Sequence, residues 1–471
     1  MKDSREKLRK QTTSSKNGGW LQEVEVELQG NVRAPSDSPA SERRKNNIQE
    51  VEESLLEKIL HRDNLNHAYK RVKSNKGSHG VDGMTVDELL PYLKQHGETI
   101  RQAILKGSYR PQPVRRVEIP KPDGGVRQLG IPTVLDRLIQ QAIAQVLNEI
   151  FDRDFSENSY GFRPGRSAHQ AIKAARNYID EGHRWVVDID LEKFFDRVNH
   201  DKLMALVARK VKDKRVLKLI RRYLESGIML NGVKVKNEEG TPQGGPLSPL
   251  LANIMLDELD KELESREHKF CRYADDCNIY VKSRKAGERV MESVTRFIEE
   301  VLKLKVNRNK SAVDRPNRRK FLSLSYYMYK GKARNFIPKK PLKRFKEKVK
   351  EITARSKGKS MEWRKEKLNQ LIIGWVNYFR IADMKQNAEE LDRWIRRRIR
   401  MCYWKQWKEI KTKRDNLVKL GIDNQKAWEF ANTRKSYWRI SNSFILSTSI
   451  TNEYLEKRGF LSLTKRLSLV R

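Results

Sequence analysis

The stretch that most constrains the fold is residues 270–281, where two adjacent acids, Asp275 and Asp276, interrupt a run of apolar and aromatic residues. This pattern predicts a strand, a tight turn and a second strand, with both carboxylates at the tip of a hairpin. Two acids beside a half-buried hairpin cost desolvation energy and repel each other unless positive charge lies nearby. A divalent cation would supply that charge, although Asp is also an ordinary residue of solvated turns. The acid pair alone leaves both interpretations open.

The charge balance of the chain points to a polyanionic partner. Its 471 residues include 99 Lys and Arg against 61 Asp and Glu, a formal net charge of +38, and such an excess repels itself in a compact protein. An anionic membrane surface is the alternative, but no apolar run approaches the roughly 20 residues of a spanning helix, and no signal peptide is visible. Cys271, Cys277 and Cys402 are too few and wrongly spaced for a zinc site or a disulfide framework. We therefore expect a cytoplasmic protein that binds nucleic acid and no membrane.

Shifts in composition divide the chain into five segments. Residues 1–48 are rich in Lys, Ser, Asn and Glu, which predicts a basic, disordered leader. Helical periodicity follows in 49–110, mixed strands and helices in 111–335, and basic helices with apolar stripes in 336–418. The last segment, 419–471, has Trp and Tyr among basic residues. The acid pair lies in the mixed segment.

A second acidic strand precedes the hairpin. Residues 185–196 read as an apolar strand that ends in carboxylates and passes into a helix, and period two places Asp188 and Asp190 on one face. A strand ending in acid near a hairpin tipped by two acids is suited to a two-metal site for phosphoryl transfer, with the cations roughly 3.5–4 Å apart. Mg²⁺ fits this interpretation because every candidate ligand is a hard oxygen.

Three further motifs are suited to a nucleic acid or nucleotide ligand. Lys121 and Arg127 flank a Gly-rich hairpin turn and could hold a triphosphate, or they are two exposed charges. Arg163 and Arg166 stand beside aromatic residues on a loop, which suits RNA, although the loop could equally pack on itself. The Gly- and Pro-rich stretch 240–249 permits close approach of a ligand, or is a rigid turn before a helix.

Taken in order, these motifs resemble the reverse transcriptases with maturase activity that bacterial group II introns encode, in the form that lacks an endonuclease domain. Residues 273–276 are similar to the catalytic hairpin of that family, Asp190 with Phe195 to its first catalytic strand, and 241–249 to its Pro-Gln-Gly loop. The sequence 160–167 is similar to a motif frequent in the intron-encoded members.

The resemblance, which covers roughly residues 50–471, implies an α/β right-hand polymerase fold. Fingers and a palm with an antiparallel sheet would occupy 111–335, after an N-terminal extension in 49–110. An all-helical thumb that also serves as the maturase domain would occupy 336–418, and 419–471 would bind DNA.

The resemblance also implies roles for individual residues. Asp190, Asp275 and Asp276 would be the catalytic residues and would hold two Mg²⁺ ions, which Mn²⁺ could replace, with the main-chain oxygen of Ile189 as a further ligand. Asp188 would lie just outside the metal ligands. The residues expected to bind the substrate are Lys121, Arg127, Phe195, Gln243 and Lys310. Phe195 would exclude a 2′-hydroxyl by its bulk.

One residue departs from the family pattern. Ser323 stands where the family has Gly near the primer terminus, and its side chain enters a place where backbone and primer would approach closely. This departure puts primer handling in question.

The implied partners are the intron RNA, the target DNA, an RNA template with its primer, and dNTPs. Besides the loop arginines, the residues expected to contact RNA lie in the thumb: Arg163, Arg166, Arg396, Arg397, Arg398, Trp404, Lys405 and Trp407. The implied function is to bind the group II intron, assist its splicing and reverse-transcribe it during retrohoming, in the bacterial cytoplasm and at the nucleoid when bound to DNA. The alternative is a maturase that serves splicing alone and has weak or lost polymerase activity. The sequence gives no oligomeric state.

Overall fold

The computed structural model describes residues 55–120, 125–230, 233–235, 239–241 and 244–470. The predicted leader at 1–48 lies outside these residues, and so do Lys121, Gln243 and the side chain of Arg127. What the sequence implies for them remains a prediction.

The N-terminal helices of the described chain pack around one long helix. They are α1 (Leu55–Ile59), α2 (Arg62–Ser74), α3 (Leu89–Leu105), α4 (Val134–Phe151), α5 (Ala168–Asp180), α6 (His200–Lys210), α7 (Lys214–Leu224), α8 (Ser248–Ser265) and α9 (Arg284–Arg296). Helix α4 is buried along most of its length, and α1, α2 and α8 contact it. Helix α5 begins with a capping box, in which Ser167 and Gln170 bond reciprocally to each other's backbone N–H.

The strands of the described residues fall into three sheets. They are β1 (Val114–Pro120), β2 (Val126–Ile131), β3 (Trp185–Ile189), β4 (Ile228–Leu230), β5 (Val233–Val235), β6 (Lys269–Tyr273), β7 (Asp276–Val281), β8 (Ala312–Asp314), β9 (Ser325–Tyr329) and β10 (Lys332–Phe336). The first sheet has the order β2-β1-β4-β5, the second has β6-β7-β3-β8, and β9 with β10 forms a hairpin. Strands β1 and β2 pair antiparallel along their length, which confirms the arms of the predicted hairpin.

The second sheet is antiparallel throughout and separates two hydrophobic cores. Val187 and Ile189 of β3 point into the first core, with helices α1 to α4 and α6 to α9. Val186 points into the second core, on the opposite face, as the alternation of a strand requires. The side chains of Asp188 and Asp190 therefore belong to the face of the second core.

The C-terminal helices supply most of the second core. They are α10 (Lys339–Ile352), α11 (Met361–Phe379), α12 (Lys385–Gln406), α13 (Ile410–Lys419), α14 (Asn424–Ala431), α15 (Tyr437–Ile440), α16 (Phe444–Ser449), α17 (Asn452–Lys457) and α18 (Leu463–Val470). The three apolar stripes that predict a helical region correspond to α10, α11 and α12. Helix α18 packs on both α11 and α12.

The segment 419–471 does not have a hydrophobic core of its own. Ile440, Leu446 and Leu463 are fully buried in the same core as α10 to α12. Asp392 of α12, itself buried, accepts hydrogen bonds from the backbone N–H of Leu463 at 2.8 Å and from the Ser462 hydroxyl at 2.7 Å. The expected division after residue 418 is therefore not a division between two folding units.

Two further observations concern membrane-spanning helices and the cysteines. In the part of the chain that the structure describes, no helix has the length and apolar character needed to cross a membrane. Cys271, Cys277 and Cys402 are buried free thiols.

Candidate active site

The acid pair lies at the turn between β6 and β7, as the sequence predicts. Tyr273 and Asp276 form the last pair of the antiparallel ladder, so Ala274 and Asp275 make the turn. Ala274 has a φ of 56°, in the left-handed region that costs an L-residue roughly 1–2 kcal/mol. Such strain persists only where the surroundings impose it. The structure around the turn must therefore hold it in place.

Asp190 stands level with the acid pair. Ile189, the last residue of β3, lies opposite Cys277. In an antiparallel ladder the next residue of one strand faces the preceding residue of the other, so Asp190 lies across from Asp276. The structure thus brings Asp190, Asp275 and Asp276 together at one end of the second sheet.

The segment after residue 306 fixes Asp190 from its other side. The Asp190 N–H donates to Ser311 Oγ at 3.0 Å, and its carbonyl accepts from the Asn307 N–H at 2.8 Å. Lys310 Nζ lies 3.7 Å from Asp190 Oδ2. Lys310, predicted to bind substrate, is therefore beside the acid cluster, where it balances part of the negative charge.

Negative charge remains in excess around Asp276. Desolvation and the charges of Asp275, Asp188 and Asp190 raise the pKa of Asp276 to about 7, while Lys310 acts in the opposite direction. Although protein atoms crowd this carboxyl, part of it is open to water, which screens some of the repulsion. A bound cation would remove the remaining repulsion.

The Asp188 carboxylate is hydrogen-bonded to side chains of the protein. Arg319 Nε donates to its Oδ2 at 2.9 Å, and the Asn278 amide nitrogen lies 2.9 Å from its Oδ1 in the amide orientation that satisfies both polar atoms of the amide. Desolvation raises the pKa of Asp188, and the charge of Arg319 opposes this. Asp188 therefore serves the site through its charge and through Arg319, and Asp190, Asp275 and Asp276 remain the candidate metal ligands.

The acid cluster fits Mg²⁺ that is shared with a substrate. Among the described residues, no three side chains of Asp, Glu, His or Cys are gathered closely enough to hold a metal ion by themselves. Mg²⁺ in phosphoryl-transfer sites is usually held by one or two carboxylates, with water and substrate phosphates as the other ligands. The hard oxygens of Asp190, Asp275 and Asp276 and the raised pKa of Asp276 match that mode of binding.

A cavity of about 250 Å³ is lined by strands β1, β2 and β4 of the first sheet, by the segment 193–196 that follows β3, and by residues 239–241. Phe195, predicted to exclude the 2′-hydroxyl, lines it, and its ring packs edge to face on Phe194 with 5.1 Å between the centroids. The Thr241 N–H donates to the Phe195 carbonyl, so the glycine-rich stretch is tied to Phe195. Gly240 has a φ of 89°, and a Cβ there would lie 2.6 Å from the same carbonyl.

Two cations of this cavity were missed by the motif analysis. Arg116 and Lys193 line it together with Phe195, and Arg116 Nε is buried with no hydrogen-bond partner among the described residues. Asp196 and Glu239 line the same cavity, so its lining carries both signs of charge, and Arg116 and Lys193 are its candidates to bind an anionic ligand. Arg116 lies in an ordinary alternating strand, so no sequence signal distinguishes it from an exposed arginine.

The side chains of the two loop arginines are engaged by partners within the protein. Arg163 is buried; its Nε donates to Asp152 Oδ1 at 2.7 Å, and its other nitrogens bond to backbone carbonyls of Asp152, Ser156 and Ser159. Arg166 is paired with Glu157. The prediction that Arg163 contacts RNA is corrected, because its guanidinium is fully used inside the protein.

Two of the three α12 arginines predicted to contact RNA are also engaged within the protein. The Arg397 guanidinium stacks 3.8 Å from the Trp438 ring centroid and donates to the Trp438 carbonyl at 2.9 Å. Arg398 Nε donates to the buried Thr353 hydroxyl. Both residues therefore join α12 to its neighbours, and neither is a free RNA contact.

The two tryptophans predicted to stack on RNA are part of the second core. Trp404 and Trp407 are 2% and 8% exposed, and their rings pack against each other with 5.9 Å between the centroids. The prediction that they contact RNA is corrected, because a buried ring offers no face to a base. Arg396 is half-buried and Lys405 is exposed, so RNA contact by these two remains a prediction.

Ser323 lies in a strained turn that a C-terminal helix holds. Phe321 and Leu324 exchange two backbone hydrogen bonds of 2.9 and 3.0 Å, and the two residues between them, Leu322 and Ser323, have φ of 50° and 67°. The Tyr378 hydroxyl of α11 donates to the Leu322 carbonyl at 2.7 Å. This turn therefore joins the catalytic part of the chain to the C-terminal helices.

Comparisons with known proteins agree with this geometry. The family model described as reverse transcriptase (RNA-dependent DNA polymerase) matches residues 119–326, and the model of the group II intron, maturase-specific domain matches 342–421. Protein YkfC of Escherichia coli (strain K12) is 36% identical over 303 residues, which are 56% of this chain and 80% of that protein. Group II intron-encoded protein LtrA of Lactococcus lactis subsp. cremoris is 40% identical over 227 residues, 48% of this chain and 38% of that protein.

Among solved structures, a chain of a partial Cas6-RT-Cas1--Cas2 complex matches 53% of this chain and 43% of its own length at 27% identity, with a TM-score of 0.35, too low to support an argument. The matched models and the acid cluster define a reverse transcriptase, which is an RNA-directed DNA polymerase. More narrowly, the chain belongs to the family of group II intron-encoded proteins that combine a reverse transcriptase with a maturase domain.

Proposed function

We propose that this protein binds the RNA of its own group II intron, assists the splicing of that RNA and copies it into DNA during retrohoming. The observation that carries the proposal is the cluster of Asp190, Asp275 and Asp276, where desolvation and the neighbouring carboxylates raise the pKa of Asp276 to about 7. The maturase-specific region at 342–421 belongs to the same chain and supports a second role in splicing.

The parts of a right-hand polymerase can be assigned on this basis. The first sheet with α4 would be the fingers, the second sheet the palm, and helices α10 to α18 the thumb, which also binds the intron. The cavity at Phe195 is lined by the first sheet and by the segment 193–196 that follows β3, which supports it as the place where a nucleotide would bind. A bacterial location, at the nucleoid when target DNA is bound, belongs to this proposal.

The residues of the site would divide the work of nucleotide addition. Asp190, Asp275 and Asp276, with the Ile189 carbonyl, would hold two Mg²⁺ ions, which when bound would favour ionisation of the primer 3′-hydroxyl and stabilise charge on the leaving pyrophosphate. Phe195 would pack beneath the sugar and leave no room for a 2′-hydroxyl.

Basic residues would bind the phosphates of the nucleotide and of the nucleic acids. Arg116 and Lys193 line the same cavity as Phe195 and would bind the triphosphate together with Lys121 and Arg127. The +38 net charge would hold template, primer, intron RNA and target DNA through their phosphates, chiefly by counterion release.

The decisive experiment separates polymerisation from splicing. Asp275→Asn with Asp276→Asn removes two carboxylates with almost no change in volume, so the protein should fold but lose cDNA synthesis by orders of magnitude on a primed RNA template. Intron splicing at low Mg²⁺ should persist, because phosphate and base contacts need no catalytic metal. Asp314→Asn, which removes a carboxylate at the far end of β8, is the matched control and should retain both activities.

The strained Ser323 turn favours one alternative, a maturase that serves splicing alone. In that case the wild-type protein would splice the intron but would not extend a primer with dNTPs and Mg²⁺. The intact acid cluster argues against this alternative. Loss of both activities in the folded double variant would refute the proposed division of roles.

A further inference from the structure

We propose that a buried brace beneath the catalytic turn sets the position of Asp275 and Asp276, and that the loop at 159–165 is part of this brace and does not read RNA. The brace consists of Arg272, Asp260, Asn253 and Ser159, together with the backbone of Gly161. The inference rests on the proposed polymerase function, because it assigns the brace to the metal-binding turn of that site.

Arg272 is the centre of the brace. It is completely buried, as is Asp260, and its Nε donates to Asp260 Oδ1 at 2.7 Å. Its Nη2 donates to Ser159 Oγ at 2.8 Å, and its Nη1 donates to Asn253 Oδ1 and to the Ala274 carbonyl, both at 3.0 Å. A buried charge is tolerated only when it is paired and its hydrogen bonds are made, and here one of those bonds ends on the catalytic turn itself.

The loop at 159–165 is joined to the same strand through its backbone. The Arg272 N–H donates to the Asn158 carbonyl and the Tyr160 N–H donates to the Arg272 carbonyl, both at 2.9 Å. These bonds place the loop alongside β6 as a short parallel bridge. The loop therefore moves with the hairpin that carries the acid pair.

Gly161 is the point where the loop meets the turn. A Cβ on Gly161 would lie 2.3 Å from the Ala274 nitrogen and 2.9 Å from the Tyr273 carbonyl carbon, so only glycine allows the two backbones to touch. The Asn253 side chain of α8 donates to the Gly161 carbonyl at 2.9 Å, and its oxygen accepts from Arg272. Asn253 thus fixes both the loop and the arginine that hold Ala274 in its left-handed conformation.

An ordinary core ion pair would stabilise the fold without acting on the site. Two features distinguish the brace from that role: one of its hydrogen bonds ends on the carbonyl of Ala274, the residue before Asp275, and Ala274 is the strained residue of the turn. A change in the brace should therefore move the metal ligands before it unfolds the protein. Supporting residues of this kind typically change metal affinity by about 10–100-fold when they are mutated.

The test compares two glycines of the same loop in the full-length protein. Gly161→Ala would push on the Ala274 backbone. At Gly165, whose φ is 69°, an added methyl group strains its own backbone but meets nothing within 4 Å, so Gly165→Ala is the control for disturbing the loop without pressing on the turn. For Gly161→Ala we expect primer extension to slow by about 100-fold and the Mg²⁺ concentration at half-maximal rate to rise by about 10-fold or more. Direct titration with Mn²⁺, followed by electron paramagnetic resonance, should show the same loss of metal affinity without any turnover.

Three outcomes distinguish the brace from other roles. Affinity for the primer–template should stay within about threefold of wild type, because Arg163 is buried and Arg166 is paired with Glu157; a rate loss explained by lost RNA binding would overturn the proposal. An unchanged rate and metal affinity in folded Gly161→Ala protein would also overturn it. If Gly161→Ala does not fold, Asn253→Ala, which removes atoms and adds none, replaces it. Its primer-extension rate and its metal affinity then decide the question. A wild-type protein that does not extend primers would refute the proposed function and not the brace.

Discussion

Leu322 and Ser323 occupy the two central positions of a hairpin turn, and both have positive φ. A two-residue turn of this kind favours Asn or Gly because other residues are strained there. Ser323→Gly should therefore stabilise the protein by about 1 kcal/mol. The urea midpoint measures this gain. Ser293→Gly, in the interior of α9, is the control and should lose about 0.5 kcal/mol; a loss of stability in both variants would show that Ser323 is not strained.

The raised pKa of Asp276 means that, without a bound cation, the acid cluster destabilises the folded protein. In the unfolded chain this carboxyl ionises near 3.8 and in the folded protein at about 7, so the folded state binds more protons between these values and stability falls as the pH rises through them. Without divalent cations, Asp276→Asn should therefore raise the melting temperature at pH 8, by an amount that shrinks towards pH 4. Added Mg²⁺ should stabilise the wild type more than the variant. A melting temperature at pH 8 that the substitution lowers would contradict the assigned repulsion.

Phe195 lines the cavity of about 250 Å³ as a half-buried side chain. If Phe195 excludes a 2′-hydroxyl by its bulk, as we propose, Phe195→Ala should admit ribonucleotides. The measurement compares incorporation of dNTP and rNTP by both proteins. Unchanged discrimination together with normal dNTP use would remove Phe195 from this role.

At the scale of elements, the C-terminal helices reach the catalytic part of the chain through Tyr378. Its hydroxyl donates to the Leu322 carbonyl at 2.7 Å, and its own carbonyl lies 2.7 Å from His169 Nε2 of α5. Tyr378→Phe should cost about 1 kcal/mol and should slow primer extension more than it weakens intron RNA binding, because the turn that the family resemblance places near the primer loses its anchor. Tyr329→Phe changes an exposed tyrosine and should be neutral; equal losses of extension and RNA binding in Tyr378→Phe would contradict this coupling.

The sequence predicted the elements whose signals are local. The hairpin of β6 and β7, the acidic end of β3 and the apolar stripes of α10 to α12 follow from periods of two and 3.6 residues, and each lies where it was expected. Residues whose roles depend on burial were harder to assign. Arg163 and Trp404 have basic and aromatic neighbours in the sequence, and this local pattern does not show whether a side chain faces water or the core. Arg116 and the Arg272 brace depend on contacts between distant segments, which periodicity does not reveal.

At the scale of the whole molecule, the charge of +38 should make RNA binding strongly dependent on salt. With six to ten phosphate contacts, affinity should fall by about 10³-fold or more between about 50 and 200 mM salt. The slope of log K against log salt measures the number of contacts. Arg396→Ala with Lys405→Ala should reduce the slope by about one to two, whereas Arg163→Lys should not alter it; a nearly flat dependence would exclude binding through phosphates.

The hydrogen bonds between Asp392 and the C-terminal segment have a consequence for the nascent chain. Its partner Ser462 follows it by 70 residues, and a ribosome that adds about 5–20 residues per second needs roughly 4–14 s to reach that partner. Throughout this interval α12 lacks the helix that covers it, and its apolar side is open to any other nascent chain or chaperone. Slow codons between these two positions would lengthen that exposure. The yield of active enzyme should therefore depend on the pace of translation in this stretch, even where the amino-acid sequence is unchanged.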